Sequence, residues 1–462
     1  MESGIFQPLQ VAVIGTGYVG LTSGVALAFL GHHVVAVDKD TSKLEMLRNG
    51  ISPIHEDGLE ELLEQVRDRI CFTDDTGGSV AESDVILIAV GTPSLENGQA
   101  DTRYVEAAAA EIAGGLQAER KYTIIVKSTV PVGSNRRVQH VIHEALLAKG
   151  IAEHVSVNVA SNPEFLREGT ALHDTLYPDR IVVGAETAEA VDMLRQLYQP
   201  LLEQTFDDPS VLPRPDGYVL PSMVTTDPVS AELIKYASNA FLAMKISFIN
   251  EIAGLCEHVG GNITEVARGM GLDSRISPHF LRAGLGWGGS CFPKDTAALV
   301  AMGKELSCPM RLVEATCEVN AAQRQRIVKR LQDELKGLRG RVIGVLGLAF
   351  KPGTDDLRES PSLEIIRMLL EREAHVRVHD PIAMDNAKAE IEGPGVEFSA
   401  NPQTLASGVD ALILATEWPE YRTLNLEKLA EVMRTPVLVD ARNLFDRNQA
   451  VSAGLTYLAV GR

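Results

Sequence analysis

Basic residues are in the minority: 43 Lys and Arg stand against 62 Asp and Glu, a formal net charge of −19. So acidic a chain excludes nucleic acid and anionic membrane surfaces as main partners. A small anionic ligand stays possible, because a local cluster of Arg, Lys and backbone N–H groups suffices to hold it. Cysteine is sparse too, with five in 462 residues, an odd number and widely scattered. That excludes a disulfide framework and suits a reducing cytoplasm. No stretch reaches the ~20 apolar residues of a membrane span. Met1 to Gln10 has no basic region followed by an apolar run, so no secretory leader is expected. The remaining composition, 45% hydrophobic and 23% charged, is that of a soluble globular chain. Its length is too great for one core and predicts two or three domains.

The N-terminal stretch alternates strand and helix signals. Val11-Ala-Val-Ile14 is a short apolar run leading into Gly15-Thr-Gly17-Tyr18-Val19-Gly20, a helical segment to about Leu30, and Val34–Val37 ending in Asp38. This is a dinucleotide fingerprint in its required context: Gly15 turns, Gly17 admits a pyrophosphate, and Gly20 lets the helix pack on the sheet. The helix N-terminus receives the phosphates. Asp38 accepts hydrogen bonds from a ribose diol and repels a 2′-phosphate, which favours NAD over NADP, although Lys39 and Lys43 lie nearby. Further strands are predicted at Val85–Ala89, Thr123–Val126, Val155–Ala160 and Arg180–Gly184. They form a doubly wound parallel sheet with ligands at the carboxyl ends, where Thr92 and Thr129 fall.

The last third repeats the scheme, with strands at Arg341–Leu346, Val376–Asp380, Ala411–Ala415 and Val437–Asp440 and a helix over Ser362–Glu371. Its glycine turn is degraded to Gly347-Leu-Ala-Phe350-Lys351. A mononucleotide or nucleotide sugar suits such a sheet, and so does a purely structural role. The expected fold is therefore α/β: two Rossmann-like doubly wound parallel-sheet domains, joined by a long central helix and a helical middle domain. The boundaries are 1–210, 225–325 and 330–462. Asp227-Pro228 opens the long helix, which runs to about His258 before Gly260-Gly261. Gln204 to Val224, rich in Pro and Asp, reads as a surface excursion.

Three constellations carry chemistry. In Gly286-Trp-Gly-Gly-Ser-Cys291-Phe-Pro-Lys294-Asp295, Pro293 fits a first helical turn, which sets Cys291 just ahead of a helix N-terminus. The dipole and Lys294 favour thiolate there, describing a nucleophile; the alternative is an inert buried thiol. Lys235 and Asn239, four apart, point from one helix face, suited to an oxyanion or to mere packing. Asn162-Pro163 predicts a helical turn carrying Glu164 and Glu168 on one side. Those acids could order a water or simply complement a helix dipole.

These motifs, with Ser161–Gly169, Ala231–Phe241, Gly288–Asp295 and Thr354–Pro361, resemble those of the UDP-glucose/GDP-mannose dehydrogenase family over nearly the whole chain. The resemblance implies an NAD-dependent four-electron oxidation of a nucleotide sugar's C6 alcohol to a carboxylate, with UDP-glucose expected. GDP-mannose, a UDP-N-acetylhexosamine and a non-catalytic sensor are the alternatives. It assigns catalysis to Cys291, Lys235, Asn239, Asp295, Thr129 and Glu164. It assigns NAD to Gly15, Gly17, Tyr18, Val19, Gly20, Asp38, Lys43, Thr92, Thr129, Glu168, Lys294 and Arg358. The sugar nucleotide falls to Glu164, Phe165, Leu166, Lys235, Asn239, Phe280, Arg282, Gly288, Phe350, Lys351 and Arg442, with Arg275 reaching a partner subunit's substrate. Arg282 stands where relatives often carry lysine, and Asp227-Pro-Val229 departs from the usual Asp-Leu/Ile-Arg. A homodimer through the central helix is expected, a higher oligomer being an open possibility. No metal is expected.

Overall fold

The computed structural model describes residues 6–462, so the leader expectation over Met1–Gln10 lies partly outside the described residues. The chain forms two compact units, Met1–Ala237 and Ser238–Arg462. Among the described residues no helix is long and apolar enough to cross a membrane.

The first unit is built on eight strands: β1 (Gln10–Ile14), β2 (His33–Val37), β3 (Ile70–Thr73), β4 (Val85–Ile88), β5 (Lys121–Val126), β6 (Ser156–Ser161), β7 (Arg180–Ala185) and β8 (Ser222–Thr226). They lie in the order β3-β2-β1-β4-β5-β6-β7-β8. Short apolar runs become central strands because helices cover both faces. Val11 and Val13 face one core with Leu21 and Val25, while Ala12 and Ile14 face the other with Ile112 and Val138. The period of two along β1 thus feeds two cores at once.

Two features depart from expectation. β7 runs antiparallel to β6, and β8 continues parallel to β7, so the far edge is reversed. β8 also falls at the end of the stretch read as a surface excursion. Its side chains are exposed or half-buried and only β7 pairs with it, so it carries no apolar signature. The Pro-rich segment before it packs back on the unit: Tyr177 donates to Leu212 O at 2.9 Å and Tyr218 to Pro178 O at 2.7 Å.

The long helix, Pro228–Val259, contributes residues to both units. Asp227 caps it by accepting from Ser230 N and Ser230 Oγ at 2.9 and 2.6 Å. At its end Gly260 takes φ +77° and Gly261 N returns to Cys256 O, a left-handed closure that glycine permits.

The second unit begins with helices and closes with a second sheet of β9 (Val342–Leu346), β10 (His375–His379), β11 (Val396–Phe398), β12 (Ala411–Leu414), β13 (Val437–Asp440) and β14 (Thr456–Ala459). All neighbours are parallel, in the order β11-β10-β9-β12-β13-β14. Asp380, just past β10, is buried and accepts five donors: the backbone N–H groups of Leu348, Ala349, Ile382 and Ala383, and the Trp418 indole N–H. That carboxylate organises the degraded glycine turn.

Candidate active site

At the first strand–helix turn, Gly15 takes φ +99°, and a Cβ there would stand 2.8 Å from Ala89 O. A Cβ on Gly20 would stand 1.8 Å from Gly15 O, so that glycine is demanded by packing. A Cβ on Gly17 would meet nothing within 4 Å. Gly17 therefore opens on space beside the N-terminus of the helix Tyr18–Phe29, the place a pyrophosphate needs. Tyr18 donates its hydroxyl to His55 O. Glu56, the next residue and buried, accepts from Gly169 N at 2.8 Å and so fixes the residue after Glu168. Burial raises the Glu56 pKa, opposed by its backbone hydrogen bonds.

Asp38 accepts from Thr16 N and Thr16 Oγ1 through Oδ2, and from Asp40 N through Oδ1. Burial opposes its charge, but these bonds, with Lys43 adding, hold its pKa below the usual range. An ionised carboxylate has about four acceptor positions, so one remains for a ribose hydroxyl. Lys39 is drawn to Glu111, away from a role as a 2′-phosphate ligand. Thr92 Oγ1 donates to Thr129 O at 2.8 Å, bringing those two strand-end residues together. These residues fit NAD.

The turn after β6 differs from expectation. Asn162 to Arg167 is not helical, and the next helix begins at Ala171. A residue before proline is pushed toward extended backbone, and side-chain hydrogen bonds, one local and one distant, replace those a helix would use. Glu164 Oε2 accepts from Leu166 N at 2.8 Å, and Asn162 Nδ2 donates to Val182 O at 2.7 Å. Glu164 and Glu168 therefore share no helix face. Instead Glu164 Oε1 accepts from Lys235 Nζ at 2.7 Å, with both residues buried. The Phe165 ring lies under the Arg180 guanidinium at 3.9 Å and 5.4 Å from Lys235 Nζ.

Lys127, which sequence reasoning missed, joins this cluster from the end of β5. It donates to Asn162 Oδ1 at 3.1 Å. Burial lowers its pKa to about 8, Glu164 opposing and Lys235 assisting. The one available signal was a lysine directly after the three apolar strand residues Ile124, Ile125 and Val126. Glu232, also missed, is buried on the long helix and accepts from Gly133 N and Asn135 N at 2.6 and 2.7 Å. It thereby caps the helix Ser134–Lys149 and ties down the loop after Thr129.

In the second unit, Cys291 occupies the N-cap of the helix Phe292–Glu305, with Pro293 in its first turn, as expected. Ser290 Oγ lies 3.5 Å from Cys291 Sγ. One turn on, Asp295 is 1% exposed. It accepts from Asn239 Nδ2 and from Lys294 Nζ, both at 2.6 Å. Lys294 is thus committed to Asp295, while Asn239 sits one turn beyond Lys235 on the long helix.

The loop leading to Cys291 is held from behind by buried amides. Asn320 Oδ1 accepts from Trp287 N at 2.8 Å, and its Nδ2 donates to Trp287 O at 2.9 Å. Arg324 also donates to Trp287 O, and Ser247 Oγ accepts the indole N–H at 3.0 Å. From in front, Gly289 N donates to Arg358 O at 3.0 Å. A Cβ on Gly288 would stand 2.0 Å from Glu359 O, and one on Gly289 would stand 2.7 Å from the Phe350 ring. Arg442 donates to Ala415 O at 2.7 Å and to Phe350 O at 3.4 Å. Gly288, Phe350, Arg358 and Arg442 are thereby gathered round the cysteine loop, with Lys351 beside them over the Phe350 ring. Phe280, at φ +62°, sets its ring 6.2 Å from that of Phe292. Arg275 pairs with Asp273 and is highly exposed, and Arg282 is exposed.

Three family models match the chain: the NAD binding domain of the UDP-glucose/GDP-mannose dehydrogenase family over residues 9–202, its central domain over 229–322, and its UDP binding domain over 344–447. The chain is 45% identical over 456 residues to UDP-glucose 6-dehydrogenase TuaD of Bacillus subtilis, covering 98% of this chain and 93% of that one. It is 46% identical over 462 residues to a UDP-glucose 6-dehydrogenase of Rhizobium meliloti, covering 98% and 100%. A solved UDP-glucose dehydrogenase from the archaeon Pyrobaculum islandicum matches with a TM-score of 0.87 and 41% identity, covering 100% of this chain and 99% of that one. The chain belongs to the UDP-glucose/GDP-mannose dehydrogenase family of NAD-dependent oxidoreductases.

Proposed function

We propose that the protein is a UDP-glucose 6-dehydrogenase, oxidising the C6 alcohol of UDP-glucose to the carboxylate of UDP-glucuronate with two NAD per sugar. The observation that carries this reading is Cys291 at a helix N-cap, one turn from a buried Asp295 held by Asn239 and Lys294. The relatives' identity of 45% or more supports the substrate.

NAD, when bound, accepts a hydride in each of the two oxidations. The chain's own groups handle protons and oxygen. In the first oxidation the C6 hydroxyl proton passes to water ordered by Asp295 and Lys235. The Cys291 thiolate then adds to the aldehyde carbon, forming a C–S bond and a thiohemiacetal. Lys235 and Asn239 stabilise the oxygen's negative charge. Loss of the second hydride leaves a thioester. A water oriented by Asp295, Thr129 or Glu164 attacks it, breaks the C–S bond and returns the thiol. The uridine nucleotide is held by Phe350, Lys351 and Arg442 of the second unit.

Assembly belongs to the same proposal. Phe241, Phe248, Leu255 and Val259 are 44–70% exposed at spacings of seven, seven and four along the long helix. That apolar stripe suits a second copy of the chain, with Arg275 offered to the partner's substrate. Cytoplasmic residence is supported by five cysteines outside any disulfide.

NADH counted per UDP-glucose tests the chemistry, with two expected. A count of one would reduce the protein to a two-electron alcohol dehydrogenase. A kcat/KM for GDP-mannose or a UDP-N-acetylhexosamine above that for UDP-glucose would overturn the substrate.

A further inference from the structure

Two buried lysines stand near Glu164. Lys235 Nζ and Glu164 Oε1, 2.7 Å apart, already make a neutral buried pair. Lys127 adds a second ammonium from the end of β5. It is tethered to Asn162 Oδ1 at 3.1 Å and lies 5.8 Å from the Tyr198 ring centroid. Asn162 is fixed in turn: the same oxygen accepts from Tyr198 OH at 2.6 Å, and its amide donates to Val182 O. The charged groups felt by Lys127 are Glu164, on the turn after β6, and Lys235, on the long helix. Tyr198 covers it from a third side, and Arg180 of β7 stacks on Phe165, the ring that Lys235 also faces. Lys127 and Lys235 thus both stand beside Glu164 in a buried site.

A neutral Lys235–Glu164 pair is a poor host for an oxyanion, because the incoming charge competes with Glu164 for the same ammonium. A second cation tips that competition, and in a buried site its field is weakly screened. We propose that Lys127 is a positioning residue whose charge, held through Asn162 beside the Glu164–Lys235 pair, gives the cluster the excess positive charge that stabilises an oxyanion on the reacting carbon. This rests on the reading above that Lys235 meets that oxygen. Because burial lowers Lys127 to about 8, the excess charge is lost as pH rises through that value.

The test compares wild type, Lys127→Met and Lys127→Arg across pH 6.5 to 10. Wild-type kcat falls through an inflection near pH 8. Lys127→Met lowers kcat about tenfold at neutral pH, less than the ~10²–10³ that losing a donor in direct contact costs. Its KM for UDP-glucose stays within about threefold, and the inflection disappears. Lys127→Arg keeps most of kcat and carries the charge past pH 10, since guanidinium does not titrate in this range. In ligand-free protein with 13C-labelled lysine side chains, one resonance titrates near pH 8 and is missing from Lys127→Met. Wild-type kcat with an intact inflection in Lys127→Met, or no lysine titrating below about pH 9, overturns the proposal. So does a kcat loss that Lys127→Arg fails to restore while melting is unchanged. Lys235→Met, measured in parallel, separates the two readings. If it retains turnover, the oxyanion role itself fails; if it is inactive while Lys127→Met is unaffected, only the role of Lys127 fails.

Discussion

Replacing Asn320 by alanine removes both hydrogen bonds that grip the Trp287 backbone. The carbonyl keeps Arg324 Nη2 at 2.8 Å, so its loss is partial. The N–H loses Asn320 Oδ1 at 2.8 Å and is left buried without an acceptor, which costs about 1–3 kcal/mol. The amide's volume in a closed site adds about 1 kcal/mol. The sum is about 2–4 kcal/mol, equivalent to a fall in Tm of about 5–10 °C for a unit of this size. Four residues on sits Cys291, the proposed nucleophile, and a reacting group displaced by about 1 Å loses ~10² in rate. Hydrogen exchange over residues 284–291 should accelerate, and kcat should fall far more than KM rises. Ser247→Ala is the control: it strips the acceptor from the Trp287 indole but leaves the backbone gripped, so exchange in that segment should hardly change. A stability change in Asn320→Ala below about 0.5 kcal/mol, with unaltered exchange, would refute the claim that this asparagine anchors the loop.

Other perturbations separate fold from function elsewhere. Gly17→Ala should melt like wild type yet lose NADH binding in a fluorescence titration, because its Cβ enters open space. Gly20→Ala should lower Tm sharply, since its Cβ strikes the Gly15 carbonyl; the reverse ranking would refute the turn geometry. The depressed Lys127 ammonium makes stability depend on pH. Both states hold the proton below about 8, whereas between about 8 and 10.5 the unfolded lysine stays protonated and the folded one does not. Its contribution therefore rises with pH across that window, by about 3 kcal/mol in all, and denaturant midpoints for wild type against Lys127→Met should show it. A flat difference between the two would contradict it. If the proposed dimer forms through the long helix, Phe241→Glu should halve the solution mass measured by light scattering; an unchanged mass would count against that proposal.

Much of this was written locally in the chain. Apolar runs such as Val85–Ile88, the spacing of Gly15, Gly17 and Gly20, Asp227 before Pro228, and Cys291 before Pro293 are all short-range signals, and each forms the local element it predicts. The expected helical turn at Asn162 failed because its competitors were distant: Val182, Lys127 and Tyr198 capture that side chain across 20 to 36 residues. Glu56, Glu232 and Lys127 escaped notice for the same reason. Each works through a partner 35 to 113 residues away, and no window along the sequence contains both ends. β8 was missed for lack of contrast, an edge strand having no buried face to stamp a pattern on it.

The second sheet repeats the order of the first six strands of the first, β3-β2-β1-β4-β5-β6, but the carboxylate that follows the second strand is used differently in each. Where Asp38 keeps an acceptor position open, Asp380 is saturated by its own loop. Grafting a full glycine fingerprint onto residues 347–352 would leave an adenosine ribose with no oxygen to greet it. Duplicate architecture has here been specialised by occupying a single carboxylate, and undoing that specialisation would cost the turn its scaffold.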